Sequence, residues 1–150
     1  MGKKVEIRLF HIERLPKESR RPTLFRRACR LALGYAKAPG GLNVIFLGRH
    51  GMRQINKRYL GHDYDTDVLA FPHDSQDGPF GEVLVSTHQA RRQARQLKHS
   101  IVHEVLILII HGILHLTGYE DTTPRQKKKM FSRQEMILKR TLKGGTWSGR

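Results

Sequence analysis

Two histidines and an aspartate, in the run His111-Gly112-Ile113-Leu114-His115-Leu116-Thr117-Gly118-Tyr119-Glu120-Asp121, have the types and spacing of a metal site built across a helix end. Residues four apart on an α-helix share a face, so the imidazoles of His111 and His115 can converge on one small cation. Gly118 is where such a helix would stop, because glycine accepts the left-handed conformation that turns the chain back and would carry the Asp121 carboxylate to the same point. Two imidazoles and a carboxylate suit zinc and leave a fourth position open, which is the arrangement of a hydrolytic site. A mixed nitrogen and oxygen set also accommodates nickel, cobalt or manganese.

The helix that must carry the histidines is expected from near Ser100 to Thr117. Val105 to Ile110 is apolar at every position, so this helix should be surrounded by the rest of the fold. Before it, Ser86 or Thr87 can cap a basic helix reaching about Leu97, and after it a last helix is expected from Pro124 to Leu142, with Met130, Met136 and Ile137 inward. Upstream, Lys4 to Phe10 alternates as a strand does, and Pro22 to Lys37 reads as a helix with Leu24, Ala28, Leu31 and Tyr35 on its core face. Leu42 to Leu47 reads as a strand, Met52 to Tyr59 as a short helix turning Met52, Ile55 and Tyr59 inward and ended by Gly61, Asp67 to Phe71 as a strand, and Gly81 to Val85 as another. His73 to Pro79 is expected to be a loop, and Gly144 to Arg150 a frayed tail. The class is α+β: a mixed sheet of about four strands packed with about five helices, the metal site lying at the C-terminal end of the central buried helix.

At 150 residues the chain matches one domain, 1–150, able to bury its own core. Cys29 is the only cysteine, which excludes an intrachain disulfide and fits a reducing cytoplasm. The first residues alternate charge with apolar groups and lack a signal-like apolar core, and the apolar stretch from Ile101 to Gly118 contains Glu104 and three histidines, so neither secretion nor a membrane partner is expected. With 28 Lys and Arg against 13 Asp and Glu, the formal charge of +15 favours a polyanion. Basic residues cluster at Arg14 to Arg30, Arg91 to Lys98 and Arg125 to Arg133, three tracts that together favour nucleic acid.

Four ordered blocks carry a resemblance to a known family. They are Ile55-Asn56-Lys57-Arg58-Tyr59, Asp65 through Pro72 (Asp-Thr-Asp-Val-Leu-Ala-Phe-Pro), Gly81-Glu82-Val83, and Glu104 through Tyr119. On these the chain resembles the YbeY family, bacterial metal-dependent endoribonucleases linked to ribosomal RNA maturation. The resemblance implies a zinc-type ion held by His111, His115 and Asp121, a single-stranded RNA substrate, ribosomal RNA above all, ribosomal subunit proteins as partners, and a role in rRNA processing or ribosome quality control. Three positions depart from the family. Asp121 stands at its third histidine, Glu120 where aspartate is common, and Leu60 in place of an arginine after the tyrosine. A carboxylate binds zinc at about the distance of an imidazole nitrogen, so Asp121 is expected to ligate and to give a less Lewis-acidic ion. The arginine looks placed to meet phosphate, and Arg58 is its nearest substitute, although two helical positions rotate a side chain by about 200°.

The chemistry expected is phosphodiester hydrolysis, with the ion polarising a phosphate oxygen or activating its own bound water, and with no side chain assigned as base. Glu104, about 10 Å up the axis from His111, is too far to ligate and reads as a supporting carboxylate or the buried partner of a basic group. Thr66 and Asp67 read as a site wall, Asp67 either orienting a ligand histidine or capping a strand. Arg53, Arg58 and Arg91 are candidates for phosphate contact. A zinc peptidase would need a glutamate after the first histidine, where this chain has Gly112. A protein that binds RNA or the ribosome without cutting, keeping the metal for stability, is the other alternative.

Overall fold

Alternation of apolar residues along the strands gives one sheet two unequal faces, and that inequality decides where the histidine helix lies. The computed structural model describes residues 5–34, 36–73 and 78–143. Lys4, Tyr35, part of the expected 73–79 loop and the expected tail at 144–150 lie outside them. The strands are β1 (Ile7–Phe10), β2 (Leu42–Leu47), β3 (Val68–Pro72) and β4 (Gly81–Ser86), in the spatial order β1-β2-β4-β3. β1 and β4 both run parallel to β2, and β3 is an antiparallel edge on β4, so the sheet is mixed. Leu42, Val44 and Phe46 of β2 and Val83 and Val85 of β4 enter the main core, while Ile45, Leu47 and Leu84 point to the opposite face.

Five α-helices cover the sheet: α1 (Pro22–Leu33), α2 (Arg49–Leu60), α3 (Thr87–Leu97), α4 (Ile101–Leu116) and α5 (Pro124–Lys143). α4 packs on β3 and β4 and is flanked by α1, α3 and α5. Its residues Val105, Leu106, Ile109, Ile110 and Ile113 are fully buried, as a continuous apolar run requires. α2 lies on the other face, where Met52 meets Leu69 and Leu84. Ser86 and Ser100 cap α3 and α4, accepting the Gln89 and His103 N–H groups at 3.1 and 3.0 Å. Among the described residues no single helix is long and apolar enough to cross a membrane.

Several expectations are corrected. β1 starts at Ile7, because its ladder begins where Ile7 meets Leu42. α1 stops at Leu33, since Gly34 leaves the helical region with φ 57° and ψ −123°. Two 3₁₀ turns, Ile12–Arg14 and Lys17–Ser19, lie between β1 and α1, where no element was expected. α2 begins at Arg49, directly after Gly48, and buries Met52 and Asn56. Tyr59 does not turn inward: it lies 61% exposed with its ring edge-on to Phe71 of the edge strand, 5.8 Å between centroids. Met136 is also outside, because the buried stripe of α5 runs through Met130, Gln134, Ile137, Leu138 and Thr141.

Candidate metal centre

The end of α4 carries the site, and the backbone there does two tasks at once. Thr117 ends the helix, and Gly118 takes φ 106°, a value that L side chains rarely adopt. The Gly118 N–H then bonds the His115 carbonyl at 3.2 Å and the Tyr119 N–H bonds the Leu114 carbonyl at 2.9 Å, the paired bonds of a Schellman stop. The same turn presents the Tyr119 carbonyl to His115 Nδ1 at 3.1 Å. A backbone carbonyl only accepts, so it holds the proton on Nδ1 and leaves the Nε2 lone pair free.

His111 Nε2 and His115 Nε2 stand 3.1 Å apart. Asp121 Oδ2 lies 3.7 Å from the first and 3.5 Å from the second. In a tetrahedral zinc site with ligand bonds of ~2.0–2.1 Å, neighbouring ligand atoms are separated by about 3.3 Å. The three side chains, all partly buried, could therefore hold one metal ion almost as they stand. The three side chains would supply three of the four ligands of a tetrahedral ion, which would leave the fourth to solvent.

His111 Nδ1 lies 3.0 Å from Gln134 Oε1 of α5. Gln134 is buried, and if Nε2 is to ligate an ion its carbonyl oxygen must accept the Nδ1 proton. This residue escaped the reading of the sequence. A polar residue on the otherwise apolar stripe between Met130 and Ile137 was the available signal.

The other anticipated residues are distributed as follows. Asp67 does not orient a histidine among the described residues: its carboxylate accepts the Val68 N–H at 2.8 Å and the Gln93 amide at 3.2 Å, so it caps the start of β3 and ties α3 to it. Thr66 is partly buried beside it. Glu104 is buried with its Oε1 3.6 Å from His99 Nδ1, the role of buried partner to a basic group. Burial holds its carboxyl above the usual range, His99 opposes the rise and Asp67 adds to it. Burial, then the neighbouring His99, lowers His103.

Arg53 pairs with Asp63 at 2.8 Å, and the Arg58 guanidinium sits over the Tyr59 ring at 5.5 Å. Because α2 continues through Leu60, Arg58 cannot take the direction of Leu60, which is itself exposed. Arg91 is exposed on α3, in a shallow surface depression shared with His88 and Arg95. A Cβ on Gly112 would stand 2.7 Å from Val83 Cγ1. The position after the first histidine is thus pressed on the sheet, and a peptidase's glutamate has no room there.

Comparison with known proteins gives the family. The profile of the family described as Endoribonuclease YbeY matches residues 11–142. Endoribonuclease YbeY of Elusimicrobium minutum is 35% identical over 130 residues, 83% of this chain and 91% of the relative. That of Acholeplasma laidlawii is 40% identical over 103 residues, 68% and 75% of the two chains. The solution structure of TM1509 from Thermotoga maritima superposes with a TM-score of 0.62 at 26% identity, covering 92% of this chain and 90% of that one.

Proposed function

This chain belongs to the Endoribonuclease YbeY family, and on that premise we propose that it is a metal-dependent endoribonuclease of single-stranded RNA. We assign it to ribosomal RNA maturation or ribosome quality control in the cytoplasm, with zinc as the ion. The observation that carries the reading is the convergence of His111 Nε2, His115 Nε2 and Asp121 Oδ2 within 3.7 Å of one another.

His115 and His111 bind through Nε2 because the Tyr119 carbonyl and Gln134 accept their Nδ1 protons, and Asp121 closes the third side. Bound there, zinc supplies a Lewis acid for a phosphodiester oxygen and makes water acidic enough to deprotonate near neutrality. Asp121 adds negative charge to the set and so moderates that acidity. Arg91, with Arg95 beside it on α3, supplies cationic side chains for the RNA backbone. The buried Gly112 supports nuclease over peptidase chemistry.

The test is direct. Protein stripped with a chelator should not cut single-stranded ribosomal RNA fragments, and zinc should restore cutting. The His111→Ala and His115→Ala variants should stay inactive with zinc present, and cutting by either would overturn the assignment. Leu60, exposed where the family's arginine stands, favours a second reading in which the chain binds RNA without cutting it. Tight binding with no cleavage under any divalent metal would establish that reading. If the chain is a nuclease limited by the missing guanidinium, Leu60→Arg should raise kcat/KM about tenfold or more.

A further inference from the structure

Beside the metal centre, a cleft of about 590 Å³ opens between α3, α4 and α5, and His111 is part of its lining. That volume is in the range of small-ligand sites. Its composition runs against the rest of the molecule. In a chain of net charge +15, the cleft is lined by three acidic residues, Asp67, Glu104 and Glu135, and three histidines, His99, His103 and His111, with no lysine or arginine. Leu97, Ile107 and Phe131 make its apolar wall. Phe131 is 61% exposed and Leu97 58%, although both are large apolar side chains.

A phosphate would find no permanently charged cation in such a cleft. A nucleobase suits it: flat, aromatic on its faces, and bearing N–H donors along one edge. Single-stranded RNA is generally recognised in this way, with bases stacked on aromatic side chains and hydrogen-bonded along their edges. Glu135 is partly exposed, so its carboxylate is an acceptor that a ligand in the cleft can reach, whereas Glu104, 2% exposed with its Oε1 3.6 Å from His99 Nδ1, lies behind the wall.

We propose that this cleft is a nucleobase subsite, in which the base of a nucleotide next to the scissile phosphate stacks on Phe131 and turns its N–H edge to the carboxylate of Glu135. The inference rests on the nuclease reading above and adds a base preference to it. Guanine fits best, because its N1–H and N2–H lie side by side and match the two oxygens of one carboxylate. Uracil fits worst, because its single N3–H is flanked by carbonyls that a carboxylate repels. The phosphate then stays outside, at the metal ligands and the basic surface of α3.

The experiment uses the full chain with zinc and short single-stranded RNAs that differ at one nucleotide, replaced in turn by an abasic ribose and by each base. Cleavage gives kcat/KM, and fluorescence anisotropy with zinc-free protein gives affinity independently of cutting. At one fixed position relative to the cut, the abasic substitution should lower kcat/KM at least about tenfold, and guanine should exceed uracil by a similar factor. Phe131→Ala should show the same loss on intact RNA and no further loss on the abasic RNA, while Phe131→Trp keeps activity. Glu135→Gln should compress the preference for guanine over uracil.

Cleavage indifferent to abasic replacement at every position would overturn the subsite. So would a Phe131→Ala loss equal on intact and abasic RNA. These results leave the nuclease reading standing. RNA neither bound nor cut would defeat that reading, and the subsite with it.

Discussion

At the scale of the residue, the candidate ligands are less informative than the two acceptors behind them. His111 and His115 can face one ion only if each carries its proton on Nδ1, and each is held so by a different means. The Tyr119 carbonyl comes with the helix stop itself, so it is guaranteed wherever Gly118 is present. Gln134 is contributed by another helix, 23 residues further along the chain, and it makes the orientation of His111 depend on how α5 docks. Gln134→Met keeps the volume and removes the acceptor. Zinc affinity, measured against a chromophoric chelator, should fall by about 10–100-fold. Gln134→Glu should restore it, and an unchanged affinity in Gln134→Met would mean that His111 needs no partner. The grouping of His111, His115 and Asp121 was legible because a spacing of four on a helix and a glycine stop are local facts. Gln134 was not, because its role depends on a contact between distant segments.

At the scale of the element, α4 was readable in the sequence because its apolar run leaves no polar face, and β2 and β4 because their flanks are unambiguous. The ends of α1 and α2 were not. The helical spacing of Leu31 and Tyr35 implied continuation, whereas the conformation of Gly34 ends α1 earlier; α2 starts within a turn that carries no core residue until Met52. The strand order β1-β2-β4-β3 was hidden as well, since nothing in a strand names its neighbour. That order puts Val68 and Val83 of adjacent strands under Gly112, where a Cβ would approach them to 3.2 and 2.7 Å. Alanine normally gains about 1 kcal/mol over glycine inside a helix. Overpacking against two β-branched side chains costs ~1–3 kcal/mol, and these short, stiff groups cannot swing aside as a long side chain would. The cost wins. Gly112→Ala should lower Tm by a few degrees in the zinc-free protein. It should also weaken zinc binding, because α4 must lift from the sheet and shift both histidines. A Tm at or above that of the parent chain would show that the contact relaxes at no cost.

At the scale of the whole molecule, net charge was legible and its deployment was not. Of the early basic tract, Arg14 donates to the Phe46 carbonyl, Arg20 to Leu15, Arg26 to Ile7 and Arg27 to Thr141, so these guanidiniums hold backbone together. A sequence count treats them as free, because a carbonyl partner leaves no trace in composition. Arg91 and Arg95 on α3, Lys98 just after it, and Arg125, Lys127 and Lys128 on α5 form no ion pair among the described residues and are all exposed. If about six such charges meet phosphates of single-stranded RNA, log affinity should fall with log salt at a slope near −4, since each neutralised phosphate contributes about −0.7. Raising salt from about 50 to 200 mM would then weaken binding ~300-fold. Charge reversal separates the tracts. Arg91→Glu with Arg95→Glu should flatten the slope by about 1.5, whereas Arg14→Glu should lower Tm and leave the slope unchanged. A slope near zero in the parent chain would mean that the positive field does not bind RNA, however large it is.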